Sequence, residues 1–144
     1  MHKVKLYTDG ACSGNPGNGG WGAILLCDSK KLELNGGIPD TTNNRAELLA
    51  VINGLSCLRQ PCEITVYSDS AYVVNAFNQN WIQDWQNKGW RTNGKKAVQN
   101  VDLWKQLLEV IKPHKVSFVK VLGHSDNEYN NRCDKLARAA INKK

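Results

Sequence analysis

The sequence contains no apolar run near the ~18 residues that a membrane-spanning helix needs. Its first residues, Met1-His2-Lys3-Val4-Lys5-Leu6, carry no signal-peptide core and run straight into a strand pattern. A cytoplasmic location with no membrane partner is therefore expected. The five cysteines, Cys12, Cys27, Cys57, Cys62 and Cys133, are odd in number and widely spaced, with no Cys-x-x-Cys pair. That spacing speaks against a disulfide framework or a structural zinc site and for small buried residues in a reducing compartment. There is no internal repeat, low-complexity tract or linker, and no Ser-His-Asp arrangement for nucleophilic catalysis. Acids are missing altogether from Trp85 to Val101, a stretch that carries Lys88, Arg91, Lys95 and Lys96.

What is present suits one globular domain spanning residues 1–144, with 41% hydrophobic and 22% charged residues. A formal net charge of +6 favours a polyanionic partner. Val4, Leu6 and Thr8 alternate with Lys5, Tyr7 and Asp9, the period of a strand. The run Ser13-Gly14-Asn15-Pro16-Gly17-Asn18-Gly19-Gly20 reads as a loop, its glycines serving the turn. Residues 21–27 and 31–38 read as two further strands. Asn44 and Glu47 resemble a capping box ahead of a helical stripe of Leu48, Leu49, Ile52 and Leu55. A strand over 64–68, short helices over 70–77 and 81–87, a helix over 101–111, a strand over 116–121 and a last amphipathic helix follow. This order predicts an α/β fold: a mixed five-stranded sheet, three antiparallel strands then parallel ones, with helices on both faces.

Four acids stand out by position. Asp9 ends the first strand, Asp69 follows the strand at 64–68, Glu47 lies in the first turn of the first long helix, and Asp134 lies beside the apolar stripe of the last helix. Open α/β sheets build sites at the carboxyl ends of their strands. Each acid also has a plain structural reading: Glu47 completes a capping box, Asp69 caps a helix, Asp134 is a surface acid and Asp9 a turn residue.

Their context tilts the balance. Thr8-Asp9-Gly10-Ala11-Cys12-Ser13-Gly14-Asn15-Pro16-Gly17, Thr41-Thr42-Asn43-Asn44-Arg45-Ala46-Glu47-Leu48, and Ser68-Asp69-Ser70-Ala71-Tyr72-Val73 follow one another in order. Asn100-Val101-Asp102-Leu103-Trp104, then Gly123-His124 with Asn130 and Arg132-Cys133-Asp134, complete the set. Together these resemble the signatures of type 1 ribonuclease H. The resemblance implies an endoribonuclease that hydrolyses the RNA strand of RNA–DNA hybrids and leaves 5′-phosphate and 3′-hydroxyl ends. It implies that Asp9, Glu47, Asp69 and Asp134 bind two Mg²⁺ ions, with Mn²⁺ as a substitute, and that His124 serves proton transfer or product release from a loop. Two such ions ~4 Å apart activate a water and stabilise the leaving oxygen.

The same resemblance places Asn15, Asn43, Asn44 and Asn130 as substrate-binding residues, and Thr42 and Arg45 near the DNA phosphates. Trp81, Trp85 and Trp90 then belong to a basic protrusion at about 81–100, whose Lys88, Arg91, Lys95 and Lys96 face the DNA. Helical spacing of Trp81 and Trp85 favours a packed protrusion core over base stacking. Helix capping is the plain alternative for Asn43 and Asn44. Ala71 stands where the family often has glutamine and Asp126 where glycine is common; Gln86, Asn87 and Gln99 fill positions that are often basic. An inactive hybrid-binding module and a transposase or integrase core are the rival readings; all four acids being present opposes the first, and the Asn-Pro-Gly loop and Trp-rich stretch oppose the second. Met1 at the first strand and the short Lys143-Lys144 end favour a free-standing monomer over one domain of a reverse transcriptase polyprotein.

Overall fold

The strand pattern at the N-terminus extends further than its alternation required. In the computed structural model, which describes residues 1–92, 94, 96–122 and 127–141, three long strands form a meander: β1 (His2–Cys12), β2 (Gly17–Cys27) and β3 (Lys30–Thr41). They are followed by α1 (Asn43–Ser56), β4 (Cys62–Ser68), α2 (Ala71–Asn78), α3 (Trp81–Asn87), α4 (Val101–Ile111), β5 (Lys115–Lys120) and α5 (Glu128–Ala140). The sheet order is β3-β2-β1-β4-β5. β1 pairs antiparallel with β2, and β2 with β3. β1 pairs in parallel with β4, and β4 with β5. Helix-containing crossovers permit those parallel pairings.

Both faces of the sheet are covered. On one, Val4, Leu6, Ala23, Leu25, Ile64 and Val66 pack with Leu48, Ile52 and Leu55 of α1 and Trp104 and Leu107 of α4. Each fully buried aliphatic side chain there contributes about 1.5–3 kcal/mol relative to exposure. On the other, Tyr7, Ile24 and Cys133 pack with Leu136 and Tyr129 of α5.

Three local expectations are corrected. The loop expected over 13–20 is shorter, because β2 begins at Gly17. Gly14 does serve the turn, with φ 111°. Gly20 instead lets α5 approach: a Cβ there would strike the Ala137 carbonyl. Gly22 does the same, its Cβ position falling 2.5 Å from the Cys133 carbonyl oxygen. The capping box is not formed either. α1 starts at Asn43, and the Thr42 side chain accepts from the Arg45 N–H at 3.3 Å, which leaves Glu47 in the second turn. Finally, Ser70, not Asp69, caps α2, its hydroxyl accepting from the Val73 N–H at 3.2 Å.

A carboxylate cluster at the carboxyl edge of the sheet

Parallel pairing decides where the acids emerge. Tyr7 of β1 pairs with Tyr67 of β4, the last pair of that ladder, so Asp9 and Asp69, each two residues further on, lie past the same end of it. Asp69 follows β4, whereas Asp9 does not end its strand but stays paired with Gly22 of β2, because β1 runs on to Cys12. Glu47 comes from α1, and Gly10 allows it to. A Cβ at Gly10 would sit 2.5 Å from the Glu47 backbone nitrogen, so any side chain there would push α1 away. One carboxylate oxygen from each of Asp9, Glu47 and Asp69 lies within 4.8 Å of the other two. Asp134 lies outside this trio. Its carboxylate pairs with Arg138 one helical turn on, at 2.8 and 3.2 Å, while its charge still bears on Asp9.

The cluster is electrostatically expensive without cations. Asp9 is only 6% exposed. Burial, then the charges of Asp69 and Asp134, push its carboxyl up to about 7. Burial, then Asp9 and Asp69, raise Glu47 well above the usual carboxylate range. Among the described residues, Glu47 Oε1 is buried with no hydrogen-bond partner. A buried oxygen acceptor without a donor, beside two more carboxylates, is the donor set that a hard divalent cation takes.

This has a consequence for stability. Because the folded pKa of Asp9 lies above its ordinary 3.8, folding takes up a proton in the interval between them. The resulting stability is fully present below 3.8 and is lost as pH rises through about 7. In EDTA at pH 8, Asp9→Asn is therefore expected to melt above the parent, by on the order of 1 kcal/mol or roughly 3 °C. The gap should close towards pH 4 and narrow when Mg²⁺ stabilises the parent by mass action. Melting scans across pH check it; a variant that melts lower at pH 8 would mean that the Asp9 hydrogen bonds outweigh the repulsion.

Beside the acids, amides converge. Asn15, Thr42, Asn43, Asn44, Gln99 and Asn100 line an open groove of about 580 Å³. Asn15 Oδ1 accepts from the Asn43 N–H at 3.1 Å, which ties the loop after β1 to the start of α1. Gln99 and Asn100 are not among the residues that the sequence offers for substrate contact; no periodicity marks them, and only the fold brings them opposite Asn43. Arg45 forms a bidentate pair with Asp102 at 2.8 and 3.0 Å and donates to Asn100 Oδ1 at 3.3 Å, tying α1 to α4. Asn130 is buried in the first turn of α5, and its Oδ1 has no partner among the described residues.

The tryptophans pack on one another: Trp85 lies 6.3 Å from Trp81, 6.4 Å from Trp90 and 5.4 Å from Trp104 between ring centroids. Lys88, Arg91 and Lys96 are exposed around this stack. Ala71 is exposed at the first position of α2. His124, Lys95 and Asp126 lie outside the described residues.

The family model for RNase H matches residues 1–142. The chain belongs to the ribonuclease H family. It is 60% identical to the ribonuclease H of Chlorobium phaeobacteroides (strain BS1) over 139 residues, covering 96% of this chain and 95% of that protein. It is 57% identical to the ribonuclease H of Acetivibrio thermocellus over 143 residues, covering 99% and 97%. Among solved structures, LC9-RNase H1, a type 1 RNase H with the type 2 active-site motif, superposes with a TM-score of 0.87 at 28% identity. That match covers 98% of this chain and 72% of the other. LC11-RNase H1, solved in complex with RNA/DNA hybrid, superposes with a TM-score of 0.75 at 25% identity, covering 96% of both chains. As a member of this family, the chain carries its fold from β1 through α5, including the sheet edge where the acids meet.

Proposed function

We propose that this protein is an endoribonuclease that hydrolyses the RNA strand of RNA–DNA hybrids and leaves 5′-phosphate and 3′-hydroxyl ends. The observation that carries the reading is the Asp9–Glu47–Asp69 cluster, with a buried Glu47 oxygen that has no partner among the described residues, beside an amide-lined groove. Family membership and the hybrid-bound LC11-RNase H1 support the substrate.

Asp9, Glu47 and Asp69 would hold divalent metal, Mg²⁺ with Mn²⁺ as a substitute, and Asp134, whose charge bears on Asp9, would join them as the fourth, outer ligand. When bound, two such ions supply Lewis acidity for the attacking water and the leaving oxygen. The chain's own part is position. Asn15, Asn43 and Asn44, joined by Gln99 and Asn100, offer donors and acceptors to a minor groove edged with 2′-hydroxyls. Thr42 and Arg45 are set at the entrance to α1, with Arg45 oriented by Asp102. Asn130, whose buried Oδ1 has no partner among the described residues, is a further substrate-binding residue. His124 serves the proton or the departing product. Residues 81–100 form a basic protrusion on which Lys88, Arg91, Lys95 and Lys96 track the DNA phosphates. The protein acts as a single domain and a monomer in the cytoplasm.

The test is cleavage of end-labelled RNA–DNA hybrid, with single-stranded RNA, duplex RNA and duplex DNA in parallel. Cutting of hybrid RNA alone, dependent on Mg²⁺ or Mn²⁺ and stopped by EDTA, is the expected result. Cutting of duplex DNA would assign the chain to a different nuclease chemistry, and tight hybrid binding without cutting would make it a binding module.

A further inference from the structure

The opposite edge of the sheet holds a second group of metal-ligating side chains. His2 begins β1, Cys27 ends β2, and Asp28 is the first residue of the turn to β3. The last antiparallel pair between these strands is Lys5 with Leu26, so Cys27 and His2 project beyond the same end of the ladder. His2 and Cys27 also share a face. They fall in step with Val4 and Leu25, whose side chains both enter the core beneath α1. Asp28 has a left-handed backbone, φ 54°, a conformation that aspartate tolerates better than most residues. A ring nitrogen of His2, the Cys27 sulfur and an Asp28 oxygen all lie within 4.8 Å of one another. They line an open cavity of about 350 Å³.

We infer that His2, Cys27 and Asp28 form a binding site for a transition-metal cation of the Zn²⁺ class, separate from the catalytic carboxylates. The donor set decides the class. One imidazole nitrogen, one thiolate and one carboxylate suit a borderline-soft ion with tetrahedral preference and are a poor set for Mg²⁺, which prefers oxygen and water. Ligand bonds of about 2.0–2.3 Å place tetrahedral donors roughly 3.3–3.8 Å apart, within small rotamer adjustments of the observed spread. Cys27 gives up its thiol proton to solvent on binding, and a water takes the fourth position. Cys62, paired in register with His2, lines the same cavity but is buried and its sulfur contacts the Gln60 carbonyl at 3.2 Å, so it is left out of the ligand set. Lys30 and Arg59 also line the cavity; both are exposed, so water screens their charge. Along β1 the site lies seven residues from Asp9, roughly 23 Å at strand rise. Its ion would clamp the first residue of β1 to the β2–β3 turn rather than act on substrate.

Co²⁺ is the probe. Untagged, reduced, metal-stripped protein is titrated with Co²⁺ in excess Mg²⁺, and the thiolate-to-cobalt charge-transfer band is recorded. The expected result is a band that saturates at one ion per chain and is displaced by Zn²⁺. It should vanish in Cys27→Ser, persist in Asp9→Asn, and need at least about tenfold more Co²⁺ in His2→Ala. His2 is exposed, so that variant reads ligation rather than folding. No band in the parent, or a band of the same strength and affinity in Cys27→Ser and His2→Ala, would overturn the site.

Discussion

Asp9→Asn and Asp69→Asn each reduce hybrid cleavage by at least about a hundredfold while hybrid binding stays within a few-fold. The asymmetry follows from where each kind of interaction sits. The two acids contribute oxygens to one small cluster with Glu47 and are not among the described residues that line the amide groove. Most of the hold on a nucleic acid comes from phosphate and sugar contacts, which remain in place. Replacing one carboxylate oxygen with an amide nitrogen removes a charge and a cation ligand without changing size, so the fold persists. Asp134→Asn should cost less than either, because its carboxylate is already paired with Arg138 and lies outside the trio. Single-turnover cleavage with a parallel binding titration measures both halves. Residual activity above roughly a tenth of the parent for Asp9→Asn or Asp69→Asn would remove that residue from the core ligand set.

Replacing Lys88, Arg91, Lys95 and Lys96 together by neutral residues raises KM by roughly an order of magnitude and leaves kcat within about twofold. Lys88, Arg91 and Lys96 are exposed around a stack of tryptophan rings that holds its shape through aromatic packing. Removing their charges therefore leaves the scaffold intact and deletes only attraction for a polyanion. Every phosphate that the variant fails to neutralise should also flatten the dependence of log affinity on log salt, by at most about 0.9. Binding isotherms at several salt concentrations read this directly. An unchanged slope would show that the protrusion does not touch the hybrid.

Short-range chemistry was legible in the residues themselves. α3 and α4 match the helices predicted at 81–87 and 101–111 to the residue, because apolar spacing and flanking breakers act locally. The mixed sheet, antiparallel strands and then parallel ones, followed from the alternation of strands and helices; its strand order did not. Asp9 and Asp69 could be placed at one edge because parallel neighbours must end on the same side. Other signals were ambiguous for a physical reason. Asn44 with Glu47 satisfies the capping-box pattern, yet Thr42 two residues earlier caps the helix, and the choice depends on how β3 delivers the chain. The glycine run marks a turn at Gly14 but a helix contact at Gly20, and a sequence window cannot tell these apart because the partner carbonyl belongs to Ala137.

The sequence by itself determined the alternation of elements and the family, and it singled out the four acids by position, because these reside in local periodicity and in motifs read in order. Only the tertiary structure decided which atoms meet. It joined Asp9, Glu47 and Asp69 through the close approach at Gly10 and committed Asp134 to Arg138. It set Gln99 and Asn100 into the groove with Asn43. It also brought His2, which no motif singles out, against Cys27 and Asp28. Such meetings depend on strand register and helix approach, which arise when residues far apart in the chain bury their apolar faces together.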